Sequence, residues 1–204
     1  SAFGRPPNPR VTHVAEAPDH LPDSFACEGA PTPWLTISPE NTMPIPDDFI
    51  HECLYAPEAW FVHDLLEVDR EAGRIRALVD TTRLGPLVDA QRAWPGHDRH
   101  FPGAIAIQVT GTLGQLHAVY CMDLRATEGW VGFGTHVKKA RFPAMGRIGP
   151  PAIVEALSTR QRRIRGVWFV DYAFRYEQEG RLFYESEQTA AFGQSEHRGP
   201  LDER

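Results

Sequence analysis

Two histidines stand three residues apart in the stretch Trp94-Pro95-Gly96-His97-Asp98-Arg99-His100-Phe101-Pro102-Gly103. An imidazole titrates near neutral pH, so either ring can take a proton from a substrate and later return it. His100 is read as a catalytic or ligand-contacting residue. The plain alternative is a loop histidine bonded to a backbone carbonyl. His97 and Asp98 can orient His100 or supply a second proton-transfer group, although an exposed turn is the simpler expectation for both. Farther on lie the uncharged polar residues Gln108, Thr110 and Thr112, then His117. The amide and hydroxyls can bind a ligand oxygen or a water, but none is a good general acid. Back-bonding within a helix is the ordinary role of such threonines. A core position with a satisfied hydrogen bond is the ordinary role of His117. Arg160, Arg162, Arg163 and Arg165 form a basic cluster that suits phosphate oxygens or, equally, a solvated strand end.

Other chemistries find no support in the spacing. Gly111-Thr112-Leu113-Gly114 lacks the lysine and length of a phosphate loop, no GxSxG nucleophile elbow occurs, and the histidines show no zinc-ligand spacing. Cys27, Cys53 and Cys121 are too few and too far apart for a disulfide framework or a CxxC site, which fits a reduced cytoplasmic chain.

The elements that must hold these residues follow from pattern. The chain has 204 residues with a formal net charge of −6, enough for one globular domain plus an extra segment. A mildly acidic chain without a concentrated Lys/Arg excess is not expected to bind nucleic acid. No stretch is apolar and long enough for a membrane helix, and residues 1–10 lack the apolar core of a signal peptide. Residues 1–47 read as a proline-rich arm, because prolines from Pro6 to Pro46 interrupt any helix or central strand. Asp47 and Asp48 are expected to cap a short helix running to Leu54. Two β-like runs, 59–69 and 74–82, flank a polar turn with Gly73 and predict a hairpin. Residues 83–103 read as loop. Residues 104–120 are apolar nearly all round and predict one long buried helix, in which Gly111 and Gly114 mark a close approach of backbone or ligand. Strands are expected over 129–142, 152–163, 167–176 and 181–192, and a fraying polar tail over 193–204. The order is that of an α+β domain with one helix packed on an antiparallel sheet, occupying 48–192.

His100-Phe101-Pro102-Gly103 before a buried helix, the hairpin of 60–82, and Val137-Lys138-Lys139-Ala140-Arg141-Phe142-Pro143 after the helix resemble the hotdog-fold superfamily. More narrowly they resemble its β-hydroxyacyl-thioester dehydratases of the FabZ/FabA type. The resemblance spans about residues 48–192. It implies a hotdog fold, a long central helix wrapped by a curled antiparallel sheet. It implies as substrate an acyl thioester of coenzyme A or of an acyl carrier protein's phosphopantetheine, in fatty-acid or polyketide metabolism, with no further cofactor and no metal. His100 takes the place of the family's base, and the backbone around Gly103 the place of its oxyanion donor. Phe101, Gln108, Thr110, Gly111 and His117 fall where acyl group and thioester would lie, and Arg160, Arg162 and Arg163 are candidates for the carrier's phosphate. The resemblance further implies a homodimer or higher oligomer with the site between subunits, and as possible partners an acyl carrier protein or a second hotdog subunit.

The sequence departs from the family in two places: the linker Ala104-Ile105-Ala106-Ile107 lacks the family's second Pro-Gly and is shortened, and the helix lacks the family's acid. Matching Thr112 to His117 onto the family's helix puts Gly111 where the acid stands, and no Asp or Glu occurs between Asp98 and Asp123. Dehydration or hydration of a 3-hydroxyacyl thioester is therefore the first expectation. Thioester hydrolysis, with Asp98 or Gln108 positioning water, and a non-catalytic or partner-dependent acyl-binding subunit are the alternatives.

Overall fold

The computed structural model describes residues 42–92 and 94–195. The arm before Thr42 and the last nine residues lie outside the described residues. The first element is a two-residue edge strand, β1 (Met43–Pro44), within the stretch assigned to the arm. Proline is tolerated there because an edge strand has a side that needs no donor. A 3₁₀ turn follows at Asp47–His51, and its entry residue is Pro46 with no side-chain cap. The expected aspartate cap does not form. Asp48 instead accepts from the Tyr120 hydroxyl at 2.9 Å and from Arg125 at 2.9 Å, so it ties this turn to the far end of the long helix.

The expected hairpin forms as β2 (Asp64–Asp69) and β3 (Arg74–Val79). Alternation sets its faces: Ile75, Ala77 and Val79 are fully buried, while Arg74, Arg76 and Leu78 point to the other side. The segment read as loop contains one helical turn, α1 (Pro86–Asp89), started by a proline at its first position. The long helix is α2 (Gly103–Met122), slightly longer than expected. It ends at Asp123 in the left-handed region, where Leu124 N–H returns to Ala118 O at 2.9 Å.

Four strands complete the sheet: β4 (Trp130–Arg141), β5 (Ala152–Ile164), β6 (Val167–Gln178) and β7 (Arg181–Gln194). All pairings are antiparallel, in the order β1-β2-β3-β5-β6-β7-β4. This is the α+β hotdog arrangement expected from the sequence, one long helix against an antiparallel sheet.

Packing explains why the helix is apolar on most sides. Opposite α2, β3 and β5 pair large with small residues: Ile75 with Ala156, Ala77 with Val154, Val79 with Ala152. The alanines keep this part of the sheet thin, and Val109, Leu113 and Leu116 of the helix are fully buried. On β6 and β7 the inner face is aromatic. Tyr176 and Tyr184 lie 4.7 Å apart, and Tyr176 donates to Ala106 O at 3.1 Å, so a buried hydroxyl is satisfied by the helix itself. One stripe of α2 stays open: Ala104, Ile107 and Gly111 are exposed, and Gln108 and Gln115 are half-buried beside them.

Candidate functional site

The open stripe of α2 borders a cavity of about 230 Å³ between the helix and strands β4, β6 and β7. Gly111 and Gly114 form its helical wall, and an added Cβ at either would meet nothing within 4 Å. The space beside these glycines is thus open rather than filled by another backbone. Across the cavity the first half of β4 is tight: a Cβ on Gly132 would sit 2.4 Å from the Phe192 ring, so only glycine lets that aromatic lie against the strand. Phe192, Phe174 and Tyr172 supply apolar walls, and Gln108, Gln115 and Gln188 supply amides. Among the described residues no carboxylate or imidazole lines the cavity.

Three of the sequence-derived residues meet here: Gln108, Thr110 and Gly111. Gln108 donates to Ala59 O at 3.3 Å. Thr110 Oγ1 lies 2.6 Å from Ile107 O, the back-bond ordinary for a helical threonine, and 3.2 Å from Gln188 Oε1.

The motif loop lies at the helix N-terminus and is clamped through its backbone. His100 N–H donates to Gln91 Oε1 at 3.0 Å, Gln91 Nε2 donates to His100 O at 2.8 Å, and Phe101 N–H donates to Gly146 O at 2.8 Å. The His100 side chain is left exposed, with no hydrogen bond or ion pair among the described residues. Phe101 is buried against Phe183, with ring centroids 5.2 Å apart, and anchors the loop. Gly146 must be glycine for this, since a Cβ there would meet Phe101 and Phe183 at 2.8 Å. Gly103 opens the helix under the Phe142 ring, 3.3 Å from where a Cβ would stand.

His97 lies in an exposed turn closed by its own N–H to Trp94 O at 2.8 Å, and Asp98 is exposed beside it, as the simpler expectation had it. His117 is fully buried and does not line the cavity. Its Nδ1 shares a hydrogen bond with the Tyr172 hydroxyl at 2.9 Å, while its Nε2 has no partner. Burial lowers its pKa to about 4, because charging the ring would require desolvating a cation. It is a core histidine. The arginine cluster is divided by strand alternation. Arg162 is paired with Asp171 at 3.2 Å, Arg163 lies over Trp168 at 5.6 Å from its ring centre, and Arg160 stands opposite Asp171 across β5–β6. Lys138 also binds Asp171, at 2.7 Å, and holds that carboxyl below the usual carboxylate range.

Sequence reasoning missed Gln115, Gln188 and the aromatic walls as cavity residues. A signal for Gln188 was present: inward positions of β7 run Tyr184, Ser186, Gln188, Ala190, Phe192, and polar residues recur where a core strand should be apolar. Among the described residues no group of three or more His, Cys, Asp or Glu is placed to hold a metal, and no helix is long and apolar enough to cross a membrane.

No family model matches the chain, and no curated protein matches it. Several solved structures are similar at low identity. A mutant thioesterase from Pseudomonas aeruginosa is 15% identical, covering 65% of this chain and 81% of its own, with a TM-score of 0.45. A dehydratase heterocomplex from Xenorhabdus doucetiae is 14% identical, covering 69% and 86%, with a TM-score of 0.48. A thioesterase from Haemophilus influenzae is 20% identical, covering 61% and 76%, with a TM-score of 0.41. These likenesses stand beside the fold and assign no residue a role.

Proposed function

We propose that this protein binds and processes an acyl thioester, with the acyl group in the cavity along the open stripe of α2. The observation that carries this is the cavity itself: apolar walls, three amides, and a helical wall of glycine where a larger side chain would fill the space. The favoured reaction is dehydration of a 3-hydroxyacyl thioester, or its reverse. His100 takes a proton from C2, the C2 electron pair forms the double bond to C3, and the C3 hydroxyl leaves as water with the proton that His100 returns to it. The exposed, backbone-clamped imidazole suits a base that meets its substrate at a surface or a subunit boundary. At least a dimer belongs to this proposal, as the family resemblance implies. The carrier is coenzyme A or an acyl carrier protein, with Arg160 and Arg163 as the arginines left for its phosphate once Asp171 has taken Arg162.

Hydrolysis is the second reading, and the cavity lining favours it. Amides and hydroxyls can polarise a thioester carbonyl and hold a water, whereas among the described residues no acid lines the cavity to protonate a leaving hydroxyl. Incubation with 3-hydroxyacyl and saturated acyl thioesters, following enoyl absorbance and free thiol together, separates the two. Enoyl formation that disappears in His100→Ala supports dehydration. Thiol release without enoyl replaces it with hydrolysis. Silence in both assays with ligand still bound leaves an acyl-binding subunit.

A further inference from the structure

Gln188 projects from the inner face of β7 into the wall of the cavity. Its amide oxygen stands 3.2 Å from Thr110 Oγ1, and its nitrogen 3.0 Å from Ser186 Oγ and 3.4 Å from the Tyr184 hydroxyl. A threonine hydroxyl carries one proton, and Ile107 O at 2.6 Å is the nearer acceptor for it. With that proton committed, two acceptor oxygens would face each other across Thr110 and Gln188. Turning the amide end for end removes the conflict, and the two ends of an amide are assigned from such partners. One N–H then donates to Thr110 Oγ1, and the carbonyl accepts from the Ser186 and Tyr184 hydroxyls. The second N–H is then used by none of these three neighbours. Three neighbours therefore fix the amide and leave one donor for a ligand.

We propose that Gln188 is a specificity-determining residue that reads an oxygen substituent on the acyl group, hydroxyl or keto, in preference to a saturated chain. This deepens the acyl-thioester reading and rests on it. A saturated acyl chain against Gln188 displaces water from the donor and returns nothing. An oxygenated chain replaces that water with an acceptor, and a site built around such a donor discriminates against the analogue that lacks the oxygen. Thr110 acts as a positioning residue, since its oxygen fixes which way the amide faces.

The test is calorimetric titration of the full chain carrying His100→Ala, which lacks the proposed base of dehydration, with butyryl-CoA and 3-hydroxybutyryl-CoA. The hydroxylated thioester is expected to bind about tenfold more tightly, the scale of one hydrogen bond. Gln188→Met, close in volume, is expected to bring the ratio near one. Thr110→Val leaves the glutamine in place but unfixed and is expected to lower the ratio, which keeps the test open if the first variant does not fold. A ratio near one in the parent, or one that neither variant moves, overturns the role of Gln188 while thioester binding stands. Equal weakening of both ligands in Gln188→Met also overturns it, since the contact would then be to the shared thioester carbonyl. If neither thioester binds better than free coenzyme A, the acyl-thioester reading fails and this one with it.

Discussion

His100 and His117 carry the same ring in opposite settings, and their variants should differ accordingly. The loop around His100 is held by Gln91 and Gly146 through backbone atoms, so His100→Ala removes an exposed ring and no clamp. Its melting temperature is expected to match the parent within about 0.5 kcal/mol of stability, so that any lost turnover is chemical. His117 is neutral in the fold down to a pKa of about 4, against 6.5 for an unperturbed ring. Above pH 6.5 the ring is neutral in both states and contributes no pH dependence. Between 6.5 and 4 the unfolded chain binds a proton that the folded chain refuses, so stability falls with falling pH, by about 3 kcal/mol over the window. Denaturant titrations at pH 7 and 4.5 should show this loss, and His117→Gln should flatten it. Asp171, held low chiefly by its hydrogen bond from Lys138, has a separate window: its contribution is present above pH 3.8 and disappears below.

At the scale of the element, the glycines of α2 and of the loop after β4 separate two purposes. Gly111 has open space around it, so Gly111→Ala should stabilise the helix by about 1 kcal/mol through propensity alone. Gly111→Phe should keep the fold and obstruct the cavity, which thermal-shift titration with an acyl-CoA would register as a lost ligand response. Gly146 is the contrary case. A Cβ there meets Phe101 and Phe183 at 2.8 Å, and Gly146→Ala should cost roughly 1–3 kcal/mol by overpacking, read as a lower denaturation midpoint. The elements themselves were largely legible. Alternation in 74–79 and the aromatic run of 167–178 place strands because side chains on a strand take opposite faces in turn. The helix was legible because an apolar run of that length between turn signals must be buried. Local chemistry misled where tertiary partners were stronger: Asp48 could cap its own turn, but Tyr120 and Arg125 bind it instead.

For the whole molecule, the sheet has a long edge at β4, which among the described residues is bonded on one side only, to β7. Phe133 and Val137 are exposed there, at 63% and 54%, while Lys138, Lys139 and Arg141 add charge along the same strand. Exposed edges of this length invite pairing with another chain. The proposed dimer is expected to use this edge, and it brings each cavity, whose wall includes Phe133, close to the second copy. Light scattering should show at least a dimer for the parent and a smaller species for Phe133→Asp with Val137→Lys. A monomeric parent would count against placing the site between subunits.

The sequence by itself determined the strand and helix pattern and the His100 loop at the helix entrance. It also determined the absence of any acid along α2. These follow from side-chain periodicity and local composition, which are properties of neighbouring residues. Only the tertiary structure decided that Thr110 meets Gln188, seventy-eight positions away, and that Asp171 draws Arg162 away from its neighbours. It alone decided that His117 points into the core while Gly111 opens onto a cavity. Such contacts depend on which strands become neighbours and on the register between them, and no spacing along the chain encodes a distance across a sheet.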